Sequence, residues 1–461
     1  MASDALYVTN EVMNLTPQRL DDAFVRNSDS QKFLPHNKIA EFVTRNTVKS
    51  AFYIEGIDDN NLVNFVLNMA PRLFLILVMV RNDQKISVLK TLNDNGLSDS
   101  SLPIMFERSS NVGKHYGYCA ESDPSGSRKF YLFEEWSWED RSNFERLQWH
   151  FLVPLFGGET FRFTFHAQRI LPYLGQRPRS SSSGFFGEVS QISIHSAHIE
   201  GFTEDPSSRT ISIAVKKAKD NEELYKFFDK ETENLERLRL HRSPHLIKPI
   251  AAYQRGIERC LIFPWAAGGN LMNYWEQSEE HVSDSTSLKW IISQFVGLCS
   301  ALEELHVSNC RHGDLKPENI LWFKGGNDTQ TLQIADMGLA TFHEKEEHTR
   351  LRNVKTSTPS GTSRYEPPEM DANRDSDEAR SRAYDIWSMG CILFELLIRL
   401  IYGHMVLKAF QRKTQYFWAK QEPAKYSIHS ETWLNTSFFW FLYRTSTEAK
   451  PDVEKLQAVF T

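Results

Sequence analysis

The run His312-Gly313-Asp314-Leu315-Lys316-Pro317-Glu318-Asn319 sets an aspartate, a lysine and an asparagine at fixed offsets ahead of the apolar Ile320-Leu321-Trp322. Those side chains suit phosphoryl transfer. That chemistry needs an oxygen base for the acceptor hydroxyl, a cation beside the moving phosphoryl group and an oxygen ligand for Mg²⁺. Asp314, Lys316 and Asn319 offer one of each. Residues 320–323 and 332–334 read as strands around the turn Gly325-Gly326-Asn327-Asp328, which makes a hairpin. A hairpin returns the chain, so Asp336 is expected close to Asn319. Two oxygen donors from the ends of one hairpin suit Mg²⁺, which takes few protein ligands beside phosphate and water.

The elements that would position this loop are legible upstream. Residues 210–218 alternate as a strand, with Ile211, Ile213 and Val215 on one face and Ser212, Ala214 and Lys216 on the other. The small Ala214 leaves room for a ligand above the Lys216 face. Asp220-Asn221-Glu222-Glu223 opens a helix with an acidic first turn and a capping box from Asp220 to Glu223. Its apolar stripe is Leu224, Phe227, Phe228, Leu235 and Leu238, and Glu231 lies inside that stripe. A carboxylate on a core-facing stripe is costly unless paired, and Lys216 is the nearest cation. Ser182-Ser183-Gly184-Phe185-Phe186-Gly187-Glu188-Val189 precedes an alternating segment and reads, by itself, as a hairpin turn of either ordinary or ligand-covering kind.

At 461 residues the chain calls for two or three globular units. Its 41% hydrophobic and 12% aromatic content excludes wholesale disorder, and a net charge of -6 gives no basic field for nucleic acid. The five scattered cysteines read as reduced thiols of an intracellular protein, cytoplasmic or nuclear. The opening Met1-Ala2-Ser3-Asp4 lacks the basic-then-apolar pattern of a secretion signal. The most apolar window, 62–80, is broken by Asn64, Asn68, Pro71 and Arg72, and its clean part falls short of the ~20 residues of a membrane span. It reads as a buried core segment. Residues 1–168 carry helical patterns without a catalytic motif, such as 140–156 with Phe144, Leu147, Phe151 and Leu155 on one face and Pro154 limiting the helix.

Taken together and in order, these motifs resemble the eukaryotic-type protein kinases over residues 169–461. The loop at 312–319 matches the family's catalytic loop in its serine/threonine form, with Gly313 where arginine usually stands. Leu261-Ile262-Phe263-Pro264-Trp265-Ala266-Ala267-Gly268-Gly269 resembles the hinge, and Asp336-Met337-Gly338 the Asp-Phe-Gly triplet. Pro367-Pro368-Glu369 resembles the close of the activation segment, with Lys450 as the partner of Glu369. Tyr384-Asp385-Ile386-Trp387-Ser388 resembles the central helix whose aspartate holds the catalytic loop.

The resemblance implies an α+β, two-lobed fold, preceded by a mainly helical extension at 1–168. A small antiparallel β lobe with one helix spans 169–267 and a large, mainly helical lobe 268–461. It implies ATP and Mg²⁺ as cofactors and a protein Ser/Thr hydroxyl as acceptor, with no nucleic acid and no membrane span; oligomeric state carries no signal. Asp314 and Lys316 take the catalytic roles, and Asn319 and Asp336 hold metal. ATP falls to Ser182, Gly184, Gly187, Val189, Ala214, Lys216, Glu231, Phe263, Ala266 and Asn270, with Ser182 in place of the first glycine of the pattern. Ser182 and Gly313 also fit a pseudokinase scaffold. A small-molecule kinase shares His-Gly-Asp but lacks the Pro-Pro-Glu and Asp-Ile-Trp-Ser elements. The segment 144–156, with Gln148-Trp149 and Pro154, resembles extensions of predicted kinases from filamentous fungi.

Overall fold

Polar caps and prolines set where the first helices of this computed structural model begin. It describes residues 15–80, 84–109, 113–175, 182–183, 187–201, 208–277, 285–325, 330–337, 341–342, 362–367, 382–413 and 417. Thr16 caps α1 (Pro17–Ala23), and the hairpin of β1 (Val25–Arg26) with β2 (Lys32–Phe33) follows. Then come α2 (His36–Phe42), α3 (Arg45–Ile54), α4 (Asn60–Met69), α5 (Pro71–Val80) and α6 (Lys85–Asp94). Pro71 cannot continue α4, and the two helices meet at a 103° bend. Leu73, Phe74, Leu75, Ile76, Leu77 and Val78 are all fully buried, so the apolar window is a core segment, as its sequence reads. Asp99 accepts from the Arg72 and Leu73 amides at 2.9 Å each, closing the start of α5. Among the described residues no single helix is long and apolar enough to cross a membrane.

The strands β3 (Ile104–Arg108) and β4 (His115–Cys119) pair antiparallel, and α7 (Trp138–Leu147) follows. The periodicity at 140–156 predicts a longer helix than forms. The Gln148 side chain turns into the core instead, donating to Ile104 O at 2.8 Å and accepting from Ile104 N at 2.9 Å. A single 3₁₀ turn follows at Gln148–His150, and Phe151 reaches the core from outside any regular helix.

A mixed sheet is built from β5 (Arg162–Phe165), β6 (Tyr173–Leu174), β7 (Ser182–Ser183), β8 (Gly187–His195), β9 (Thr210–Ala218), β10 (Ala251–Arg255) and β11 (Glu258–Pro264). Its order is β5-β10-β11-β9-β8-β6, with β7 pairing β8. β5 joins the edge parallel to β10, opposite Ala252 to Arg255. β9 has the bounds its alternation predicts, with Ile213 and Val215 in the core beneath the sheet. β7 and β8 form the expected hairpin, Ser182 opposite Val189, while Gly184 lies outside the described residues.

The chain divides into two compact units, one taking Met1–Ser183, Glu188–Asp220 and Ile250–Ile262 and the other the remainder. Within the first, the β1–β2 hairpin bonds to the sheet's edge: the Ser28 amide donates to Tyr173 O at 2.7 Å and Asn27 Nδ2 to Leu171 O at 3.1 Å. Within the second, the predicted stripe helix is α8 (Glu222–Leu238). It is followed by α9 (Leu271–Gln277), α10 (Ser285–Val307), β12 (Cys310–Arg311), the hairpin β13 (Ile320–Lys324) with β14 (Gln330–Ile334), β15 (Thr341–Phe342), α11 (Ala383–Tyr402) and α12 (His404–Lys413). The connector entering α9 docks on β13. The Gly268 amide donates to Trp322 O at 3.0 Å, and a Cβ at Gly268 would sit 2.4 Å from the Trp322 ring.

Candidate active site

The loop at 312–319 is held first by a buried carboxylate. Asp385, in the first turn of α11 and fully buried, accepts from the Gly313 amide at 2.9 Å through Oδ1. Its Oδ2 takes the His312 amide at 2.8 Å and faces His306 Nε2 at 3.0 Å. Burial alone would raise the Asp385 pKa, but the His306 contact and the two backbone amides hold it below its ordinary value. His312 makes a second tie, its Nε2 lying 2.9 Å from Ala335 O while its Nδ1 accepts from the Asp314 amide at 3.3 Å. With the loop fixed at both faces, Gly313 takes φ +81, a left-handed conformation that favours glycine.

Asp314, Lys316 and Asn319 converge. Lys316 Nζ lies 2.9 Å from Asp314 Oδ2, and Asn319 Nδ2 reaches the same oxygen at 3.2 Å and Asp314 O at 2.8 Å. Asp314 Oδ1 is buried with no hydrogen-bond partner among the described residues. One oxygen of the carboxylate is thus clamped and the other left to accept. Burial pushes the Asp314 pKa up, and the nearby Asp336 adds to that, while Lys316 opposes it.

The hairpin brings the second carboxylate round as its sequence predicts. β13 pairs β14 antiparallel, Ile320 opposite Ile334, and the Ala335 amide donates to Asn319 O at 2.8 Å. Asp336 is therefore one residue beyond a backbone partner of Asn319. It is exposed, with φ +64, a conformation an aspartate holds at some cost and one recurrent at functional sites. With Asn319 Nδ2 committed to Asp314, its Oδ1 is the side-chain atom that could serve a hard cation. Met337 is buried, in keeping with the apolar slot its position implies, and Gly338 lies outside the described residues.

The remaining expected nucleotide residues fall on the predicted elements. Lys216 and Ala214 are half-buried on β9, Val189 is half-buried on β8, and Gly187 is buried at the start of β8. Glu231 is only 4% exposed on α8, as a carboxylate inside an apolar stripe requires. Lys216 belongs to the first unit and Glu231 to the second. Phe263 is buried near the end of β11 and Ala266 on the connector that follows. Asn270 caps α9, its Oδ1 accepting from the Asn273 amide at 3.1 Å while Asn273 Oδ1 accepts from the Asn270 amide at 3.0 Å. Glu369 and Lys450 lie outside the described residues.

One buried network escaped the sequence reading. Glu395 on α11, fully buried, accepts from Arg364 Nε at 2.9 Å, the Tyr365 hydroxyl at 2.9 Å and Gln411 Nε2 at 3.2 Å. Ser388 Oγ adds a bond to Tyr365 O at 2.9 Å. The signal was present: Glu395 stands inside an apolar helix, the same anomaly that singles out Glu231.

The protein kinase domain model matches residues 205–443, more than half of the 461-residue chain. The chain belongs to the protein kinase family. Similar curated proteins include CBL-interacting protein kinase 22 of Oryza sativa subsp. japonica, 25% identical over 50% of this chain and 54% of that one. CBL-interacting serine/threonine-protein kinase 7 of Arabidopsis thaliana is 29% identical over 48% of this chain and 45% of its own. A probable myosin light chain kinase of Dictyostelium discoideum is 29% identical over 33% of this chain and 28% of its own. The chain spans about half or less of the length of these relatives. Within the kinase domain, Asp385, His306 and His312 tie down the loop at 312–319.

Proposed function

We propose that this protein is a serine/threonine protein kinase that moves the γ-phosphoryl group of ATP, bound with Mg²⁺, to a hydroxyl of a protein substrate. The observation that carries the reading is the Asp314 carboxylate, one oxygen clamped by Lys316 and Asn319 and the other buried and open for a hydroxyl donor. Asp314 orients the hydroxyl and accepts its proton, and Lys316 offsets charge on the transferring group. Asn319 and Asp336 are the residues that would hold Mg²⁺, which when bound would neutralise charge on the phosphates. Lys216 is assigned to the phosphates, as are Ser182, Gly184, Gly187, Val189 and Ala214, with the buried Glu231 as the carboxylate assigned to the nucleotide site. Phe263, Ala266 and the backbone at Asn270 line the adenine and ribose side. We take residues 169–461 as the kinase domain, with β5 of the extension completing its sheet.

A γ-phosphate transfer assay with Mg²⁺ and generic protein substrates tests this. Transfer to serine or threonine is expected, falling by about 10² or more with Lys216→Met, because the phosphates lose their orienting cation. Absence of transfer in the wild type would leave a nucleotide-binding scaffold and overturn the reading.

Gly313 supplies no guanidinium for a phosphate on the activation segment, and its φ of +81 disfavours any side chain there. Activity is therefore expected to survive phosphatase treatment within about twofold, since that contact contributes nothing. A phosphatase-treated enzyme that loses most of its transfer rate contradicts this.

A further inference from the structure

A cavity of about 490 Å³ opens in the first unit, between α1, β2, α5 and α7, within the size range of small-molecule sites. Phe24 and Met79 give it an apolar wall, while Lys32, Arg146 and His150 bring nitrogen groups from three separate elements. Asp21 also lines it and holds Lys32, Nζ lying 2.6 and 2.9 Å from its two carboxylate oxygens. Among the described residues Arg146 has a neutral tie here, from Nη2 to Asn143 Oδ1 at 3.1 Å. The His150 ring packs edge-on to Phe24 at 5.2 Å, and its Nδ1 is buried with no hydrogen-bond partner among the described residues. Burial first, then Arg146 and Lys32, pull the His150 pKa down to about 4. At neutral pH the imidazole is thus uncharged, and both cations lie near enough to act on it.

We propose that this cavity binds a small organic anion, a carboxylate or phosphate carried on an apolar body. Two cations against one carboxylate leave a positive site, so one negative charge completes it. The guanidinium of Arg146 presents a planar fork that suits an oxyanion, and such charge-assisted bonds are the strong ones. A neutral His150 with an unmet Nδ1 supplies a further polar partner; left empty, that atom bears its desolvation cost alone. The Phe24 and Met79 wall has no use for a bare ion but covers an apolar body well. The site stands apart from the transfer chemistry and does not depend on it, since every lining residue lies in 21–150.

Calorimetric titration of the full chain, with a Mg²⁺-bound non-hydrolysable ATP analogue present to fill the nucleotide site, tests the proposal. Phenyl phosphate and benzoate are the probes, and inorganic phosphate is the head group alone. Saturable one-to-one binding of at least one aromatic probe is expected, with the stronger of the two assigning phosphate or carboxylate. Arg146→Gln should weaken it about tenfold, the cost of one charge-assisted bond. Asp21→Asn should strengthen it several-fold by releasing Lys32; a variant that merely damaged the fold could not do this. Inorganic phosphate binding as tightly as phenyl phosphate would refute the apolar body. No saturable binding of either aromatic probe, or equal affinity in wild type and both variants, overturns the site.

Discussion

Asp314→Asn is expected to lower phosphoryl transfer by about 10² to 10⁴, the usual contribution of a positioned general base, while nucleotide affinity stays within about twofold. The substitution keeps the shape of the side chain. It removes the charge that Lys316 Nζ faces at 2.9 Å and the base that the buried Oδ1 offers to an acceptor hydroxyl. Because Asn319 also bonds the Asp314 backbone oxygen at 2.8 Å, the loop keeps an anchor that does not depend on the carboxylate. The loss therefore appears in kcat and not in the nucleotide Kd. Single-turnover transfer together with a nucleotide titration measures both. A variant that transfers within tenfold of the wild type would remove Asp314 from the base role.

The same residue sets the pH dependence. Burial holds its pKa above the ordinary carboxylate value, with Lys316 opposing and Asp336 reinforcing. The base must be deprotonated to work, so the rate falls as pH drops through that raised value, earlier than an exposed aspartate would dictate.

Much of this site was legible because its signals are local. The alternation over Thr210–Ala218 fixes a strand by side-chain period alone, and Glu231 announces itself as a charge in an apolar stripe that must be buried and satisfied. The hairpin that carries Asn319 to Asp336 follows from two short apolar runs and a glycine turn. What was not legible depends on partners far away in sequence. β5 reads as a weak alternation, and nothing near Arg162–Phe165 says that it will run parallel to Ala252–Arg255. The helical period through 140–156 is genuine, yet Gln148 ends it by bonding Ile104, 44 residues earlier. Glu395 could have been found by the argument applied to Glu231, but Arg364 and Gln411, its partners, lie on other segments.

Asp385→Ala is expected to show that the loop's geometry limits the rate alongside its chemical groups. The carboxylate is wholly buried and receives three contacts, two of them from the backbone amides of His312 and Gly313. His312 is itself wholly buried, so its amide cannot turn to water when the acceptor goes. Each abandoned donor costs about 1–3 kcal/mol, and the two together with the lost His306 contact set the destabilisation at about 3–5 kcal/mol. Asp385→Asn keeps one acceptor oxygen but turns an amide nitrogen toward a backbone N–H, so it should fall between wild type and alanine. The transfer rate should drop by about 10² in the alanine variant even where it remains folded, because a displacement of about 1 Å of Asp314 suffices for that loss. Hydrogen exchange across 306–319 separates the two effects: protection of the His312 and Gly313 amides should vanish while α10 stays protected. Normal protection of those amides, or a denaturation midpoint indistinguishable from the wild type, would mean that the Ala335 tie to His312 alone positions the catalytic loop.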